Sequence, residues 1–481
     1  MRSLTDLTEL LYDKKVPSSV LFADLAIEYD ELYCERPSYA PADIAFAYDL
    51  YYGRSNVHKL LYNNDKLMMY QTIDSIIKSD KLYTEMKVQI INHSLSYVMI
   101  VDAYARGYAV LHNNVSYVHK NIRDAVTNGL YVKKLVATAY ICDYDIGLCT
   151  NIENLDMGGN VYITTCAPFA QSLRVLSAEH CRVSDDGIKM CKYIENLNAD
   201  GNGCITTCEP FAQSLRILSA CWSSCGISDD GLRACNGIRI LVAHDNPKIT
   251  TCKYFAESLC ILMAATNVNV GIKKYSGITD GGLRLCAGIE RLDADNNTKI
   301  TTCEPFAASL LILFAASHCG ISDDGLRLCT SIEELYANGN IRVTTCVPFA
   351  ASLRVLFAES DCGIGDDGLR KCGHIEELHA SNNGKITTCV PFARALQILW
   401  AEVYEELAGA YDELAECGIS DGGLRACANI EELRIAGNNK ITTCVPFAKS
   451  LQTLYVNMSH DAIVHDVTEI CTNVVNIVYH R

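Results

Sequence analysis

The residues best suited to chemistry in this chain are its 25 cysteines and its recurring pairs of aspartates. Thiolates ligate zinc or attack electrophiles, and neighbouring carboxylates share a proton or hold calcium. Such chemistry gathers different residue types at one place, usually once per protein. The spacing here is of another kind. Seven cysteines close Thr-Thr-Cys triplets, at 166, 208, 252, 303, 346, 389 and 444. Eight end a Leu-x-x-Cys type segment (149, 191, 235, 286, 329, 372, 427, 471), and five precede a Gly-Ile step or its Arg-Val variant (181, 225, 319, 362, 417). Twenty of the 25 therefore hold positions in a repeat. Only Cys221–Cys225 and Cys204–Cys208 come near a metal-ligand spacing, and neither has the supporting histidines zinc needs. Small, apolar cysteine packs well in a stacked core, so reduced core thiols and no metal are expected.

The acidic pairs repeat too, as in Asp229-Asp230, Ser322-Asp323-Asp324 and Asp366-Asp367. At the start of a short helix the serine is expected to cap it, with the acids favouring its positive end. There is no Gly-x-x-x-x-Gly-Lys-(Ser/Thr), His-Glu-x-x-His or Gly-x-Ser-x-Gly; Gly384-Lys385 runs on into Ile386, which rules out a phosphate loop. No catalytic residue, no cofactor and no enzymatic activity are expected.

The elements that must carry these residues are set by the repeat. Successive Thr-Thr-Cys triplets lie 42, 44, 51, 43, 43 and 55 residues apart. Each step splits into two halves with the skeleton apolar-x-x-Leu-x-small, as in Ile332-x-x-Leu335-x-Ala337 and Leu353-x-x-Leu356-x-Ala358. The underlying period is about 21–22 residues, inside the leucine-rich window. With Cys225-Gly-Ile227-Ser-Asp-Asp-Gly-Leu232 and Cys319-Gly-Ile321-Ser-Asp-Asp-Gly-Leu326, the chain resembles the cysteine-containing branch of the leucine-rich repeat family over about 350 of its 481 residues. One residue fewer separates Cys from Ile here than in that branch. The resemblance implies an α/β solenoid: a horseshoe of about 16 coils with a parallel concave sheet over residues 132–481.

Strands are expected to begin at 132, 152, 173, 194, 215, 238, 259, 289, 310, 332, 353, 375, 396, 430, 451 and 474. The Leu at the fourth position points inward while its neighbours alternate outward. Asn160, Asn202, Asn246, Asn297, Asn340, Asn383 and Asn438 share one register, where, as in the family, their amides should bond turn backbone of adjacent coils. Proline in Thr-Thr-Cys-Glu-Pro305 suits the first turn of the alternate helix. Two strides are long and mark insertions near 267–277 and 402–416.

Residues 1–131 lack the repeat and hold 15 of the 26 tyrosines. Proline, glycine and apolar spacing suggest helices near 41–52, 55–61 and 65–78, a mainly helical cap for the first coil. The run Val16-Pro17-Ser-Ser-Val-Leu-Phe-Ala-Asp-Leu25 prompts an alternative: an F-box-like N-terminus, which would make the chain a substrate-recognition subunit of a ubiquitin ligase. The later tryptophan of that family is missing.

What the scaffold leaves free is the third and fifth position of each concave strand. The fifth runs Ser177, Ser219, Met263 and then Phe314, Tyr336, Phe357, His379, Trp400 and, after Arg434, Tyr455. Neighbouring strands should align these into an exposed aromatic stripe, and such patches mark interaction surfaces. Phe314, Tyr336, Phe357, His379, Trp400 and Tyr455 are the candidate binding residues. Acids at Glu333, Glu334, Glu376, Glu377, Glu431 and Glu432 rim them, which points to a protein partner with basic and apolar character. A net charge of −16 argues against nucleic acid. The N-terminus lacks the apolar run of a signal peptide, and Tyr97–Leu111, interrupted by Asp102 and Arg106, is too short to span a bilayer, so no membrane partner and an intracellular, cytoplasmic location are expected.

Overall fold

A computed structural model describes residues 97–102, 107–112, 115–119, 132–137, 142–147, 149–266, 276–404, 416–457 and 461–480. The helices expected near 41–52, 55–61 and 65–78, the F-box-like run 16–25 and most of both insertions lie outside the described residues. Two compact units divide the chain, Met1–Leu215 and Arg216–Arg481.

In the first unit, β1 (Tyr97–Asp102), β2 (Gly107–His112) and β3 (Val115–His119) precede the coil strands β4 (Val132–Ala137), β5 (Asn154–Asp156), β6 (Val175–Ser177) and β7 (Asn196–Asn198). The coil strands pair in parallel, in chain order. β1 lies parallel to β4 and antiparallel to β2, which is antiparallel to β3. These three strands lie within residues 1–131, read as mainly helical, but beyond the last helix placed there, near 65–78. Val98, Ile100 and Val101 in β1 are β-branched, a type that favours extended backbone.

The second unit holds β8 (Ile217–Ser219), β9 (Ile240–Val242), β10 (Ile261–Met263), β11 (Arg291–Asp293), β12 (Ile312–Phe314), β13 (Glu334–Tyr336), β14 (Val355–Phe357), β15 (Glu377–His379), β16 (Ile398–Trp400), β17 (Glu432–Arg434), β18 (Thr453–Asn457) and β19 (Asn476–His480). All are parallel, each paired with the next. This is a leucine-rich repeat solenoid fold, with one strand for every start read from the sequence. Most strands begin two residues later than read, because the first apolar residue of the skeleton, such as the buried Ile332, packs in the core ahead of the ladder.

Each three-residue strand buries its central leucine and, except in β15, leaves the residues on either side half-exposed, as in β13 and β14. After the first type of coil strand the chain makes a 3-10 turn that buries its phenylalanine and, except in Lys253–Phe255, carries proline near its start, as in Val347–Phe349. After the second type it makes, in most copies, a four-residue helix such as Asp323–Leu326. The asparagine register behaves as read. Asn340 Nδ2 donates to the carbonyls of Ala315 and Ile321 one coil back (2.7 and 3.3 Å), and its Oδ1 accepts the Arg342 N–H at 2.9 Å.

The aspartate pairs require a correction. Ser322 makes no side-chain cap bond to the helix Asp323–Leu326. The first aspartate instead reaches the next coil: Asp323 Oδ1 accepts the backbone N–H of Thr344 and of Thr345 (2.8 and 3.2 Å), and Oδ2 accepts the Thr344 hydroxyl at 2.5 Å. The same bonds join Asp185 to Thr206 and Thr207, and Asp366 to Thr387 and Thr388. The second threonine caps the 3-10 turn, since Thr345 Oγ1 accepts the Val347 N–H at 3.2 Å. The glycine after each acidic pair lets the coils approach: a Cβ on Gly325 would meet the Thr301 carbonyl oxygen at 2.1 Å.

Of the described cysteines 20 are buried in the core, whereas Cys204 is exposed and Cys142, Cys260 and Cys471 are half-buried. Cys303, Cys346 and Cys389 are free, fully buried thiols. Each donates an S–H bond to the cysteine that ends the following helix segment, Cys329, Cys372 or Cys427, and that bond, with burial, holds its pKa well above the usual thiol range. Burial pushes Cys319 to about 12 and Cys362 to about 11. Thiols that resist ionisation in this way are poor nucleophiles and poor metal ligands. Among the described residues no three His, Cys, Asp or Glu side chains form a group that could hold a metal ion.

Candidate binding surface

The ladder register fixes which side chains meet. Phe314 pairs with Tyr336, Tyr336 with Phe357, Phe357 with His379, His379 with Trp400, Trp400 with Arg434 and Arg434 with Tyr455. Every candidate residue read from the sequence thus falls in one row across β12–β18. Strand spacing places ring upon ring. Centroids lie 4.1 Å apart for Phe314–Tyr336, 4.5 Å for Tyr336–Phe357, 3.7 Å for Phe357–His379 and 4.0 Å for His379–Trp400. Arg434 then inserts its guanidinium 3.9 Å from both the Trp400 and Tyr455 ring centroids, and Arg291 sits 4.9 Å from Phe314 at the other end. Aromatic stacking and cation–π contacts hold such a row together.

The stack changes the expected exposure. Phe314, Tyr336, Phe357, Trp400 and Tyr455 are half-buried, each covering its neighbour's face, and His379 is buried at 1% exposure. A fully exposed stripe is therefore replaced by a row that shows its edges, with His379 enclosed between Phe357 and Trp400.

The acidic rim is also more occupied than its sequence suggests. Each third-position glutamate bonds the fifth-position residue of its own strand: Glu334 accepts from the Tyr336 hydroxyl (3.2 Å), Glu377 contacts His379 Nε2 (2.6 Å) and Glu432 accepts from Arg434 Nε (2.8 Å). Outside them, Glu376 pairs with Arg354 at 2.6 Å and Glu431 accepts from Gln452 at 2.9 Å. Glu333 is exposed. A carboxylate accepts several hydrogen bonds, so these groups keep capacity for donors from outside.

A second column, two residues beyond the row, went unread in the sequence. Glu359 exchanges hydrogen bonds with Asn338, its amide donating to Asn338 Oδ1 (3.0 Å) and its Oε2 accepting from Asn338 Nδ2 (3.1 Å). Glu402, 4% exposed, accepts the Tyr404 hydroxyl at 2.5 Å, and its amide donates to the buried Ser381 hydroxyl at 3.2 Å. Burial, then the charge of Glu402, raises the pKa of Glu359. The available signal was acids at the seventh repeat position flanking a lone histidine at the fifth. Beside this column several buried polar atoms have no hydrogen-bond partner: His379 Nδ1, Trp400 Nε1 and Asn382 Nδ2.

No protein family matches the sequence, and no curated protein does. Among solved structures the chain is similar to an internalin from Listeria monocytogenes, with 14% identity and a TM-score of 0.40 over 86% of this chain and 95% of that one. The repeat architecture given above rests on this chain's own strand register and coil bonds. Among the described residues no helix is long and apolar enough to cross a membrane.

Proposed function

We propose that the chain is a non-enzymatic binding module that holds a protein partner against the row across β12–β18. The observation that carries this reading is the row itself. Six aromatic or imidazole rings occupy a position where the earlier coils place Asp156, Ser177 and Asn198. Nothing in coil packing demands the change, because the central leucines and the asparagine register are the same in both stretches. Half-exposed Trp and Tyr are typical of interface hot spots, where a large ring is buried at little cost in conformational freedom. The glutamates on either side favour a partner with basic as well as apolar character.

The test places a photo-crosslinking residue at Tyr336, at Tyr455 and, as a control, at the exposed Tyr162 of the first unit. One protein, of the same mass, is expected to be captured from the two row positions and not from Tyr162. The double substitution Phe357→Ala with Trp400→Ala, probed from Tyr336, should abolish that capture. Each lost ring contact costs about 0.5–1.5 kcal/mol beyond the area exposed, so the double variant unfolds earlier yet stays folded. Equal capture from all three positions rejects the reading.

A further inference from the structure

His379 is held in one orientation from three sides. Phe357 and Trp400 cover its faces, and Nε2 lies 2.6 Å from Glu377 Oε1. A contact that short to a carboxylate places a hydrogen on Nε2. Burial is the largest influence on the ring and pushes its pKa down, against Glu377 and Glu432, which raise it, and with Arg434, which lowers it further. The neutral ring therefore carries its lone pair on Nδ1. That atom is buried, in a side chain 2% exposed, and has no hydrogen-bond partner. A buried acceptor left unpaired is costly. The atom nearest in kind is Glu359 Oε1, 4.0 Å away, which is another acceptor.

Two acceptors thus face each other with no hydrogen between them. One tetrahedral nitrogen donating to both at about 2.8 Å requires them to stand about 4 to 4.6 Å apart. A guanidinium fits less well, since its parallel N–H groups suit two oxygens of a single carboxylate. Glu402 adds its negative charge to that of Glu359. We propose that His379 Nδ1 and Glu359 together seat the ammonium group of a lysine presented by the partner. The seat rests on the row being the partner surface, and it specifies the basic feature that surface selects.

The test uses the full chain with 15N-labelled histidine at neutral pH, with His379→Phe to identify the His379 resonances. The probe is Nα-acetyl-lysinamide, compared with Nα-acetyl-argininamide and with the probe acetylated on Nε. The free protein is expected to show Nδ1 unprotonated. The lysine probe should shift it saturably, the arginine probe should bind at least tenfold more weakly, and the acetylated probe should leave it unmoved. Glu359→Gln should weaken the lysine probe at least tenfold, whereas Glu209→Gln, on the exposed surface of the first unit, should not. An Nδ1 already protonated in the free chain overturns the seat, as does an unchanged titration in Glu359→Gln. Crosslinking centred on the row without lysine binding removes the seat and leaves the row as the partner surface. Saturable lysine binding with crosslinking spread evenly over the chain removes the partner surface, and with it the assignment of the ammonium to a partner.

Discussion

The coils at β5–β7 and those at β12–β16 are built with the same bonds and carry different faces. In the first stretch Asp185 staples Thr206 and Thr207, and Asn202 Nδ2 donates to the Ala178 and Val183 carbonyls. In the second Asp366 staples Thr387 and Thr388, and Asn383 donates to the Ala358 and Ile364 carbonyls. The buried leucines are equally enclosed in both. The outward row, by contrast, changes from Asp156, Ser177 and Asn198 to a stack of rings. Stability is thus carried by residues that recur, and recognition is open to those that do not.

The largest effect that can break this comparison comes from the close approach of coils. A Cβ at Gly187 would meet the Thr164 carbonyl oxygen at 2.1 Å, and one at Gly368 the Thr344 oxygen at 2.2 Å. Gly187→Val and Gly368→Val should each destabilise by about 3 kcal/mol, since backbone on both sides must move. Urea unfolding of the two variants checks this. Tolerance at one position only would mean that the two stretches do not share a scaffold.

A middle-sized effect separates the staple from a helix cap. Asp323→Asn weakens charge-assisted bonds to Thr344 and Thr345 and should cost about 1–2 kcal/mol. Ser322→Ala removes no cap bond and should stay within about 0.5 kcal/mol. If the serine variant is the more damaging of the pair, the helix-cap interpretation returns.

A third effect concerns a variable column alone. Burial pushes the Asp295 carboxyl up to about 6, helped by Asp293 and opposed by the Ala316 amide it accepts from and by His244. Its unfolded value lies near about 4. Between these values the folded chain keeps a proton that the unfolded chain releases, so stability falls as pH rises from about 4 to about 6. Asp295→Asn should flatten that part of the stability–pH curve, measured by thermal unfolding, and leave the scaffold bonds intact. An unchanged curve would show that Asp295 is not the titrating group.

Much of the scaffold could be read from the chain because its signals are local or strictly periodic. The leucine skeleton, the asparagine register and the first-turn prolines each act within one coil or between copies of one coil. The aspartates were misread for a related reason. Capping is judged from the residues beside a helix, whereas Asp323 acts on Thr344, 21 residues away. Only an overlay of successive coils shows that an acid in one always precedes a Thr-Thr in the next. The row from Phe314 to Tyr455 was legible because strand register follows from the period. Its burial was not, since the enclosure of His379 depends on rings from two other coils. Glu359, Glu402 and Tyr404 escaped notice because seventh-position acids also occur in the first unit, at Glu179 and Asp200, where the fifth positions are Ser177 and Asn198.

The staple also governs how the array can lengthen or shorten. It joins a helix-bearing coil to the Thr-Thr of the next coil, whereas the opposite contact uses a backbone bond, such as the Cys346 amide donating to the Gly368 carbonyl at 3.1 Å. The two kinds of junction alternate and cannot substitute for each other. A duplication or deletion of a single 21-residue coil would bring like faces together and strand a carboxylate without its threonines. Viable recombinants must therefore exchange coils in pairs, in steps near the 42–44 residues that separate most Thr-Thr-Cys triplets. The two long strides obey the same rule: their extra residues leave Asp280 bonded to Thr301 and Asp421 to Thr442. Those two points are accordingly where foreign sequence can be spliced in without breaking the chain's internal grammar.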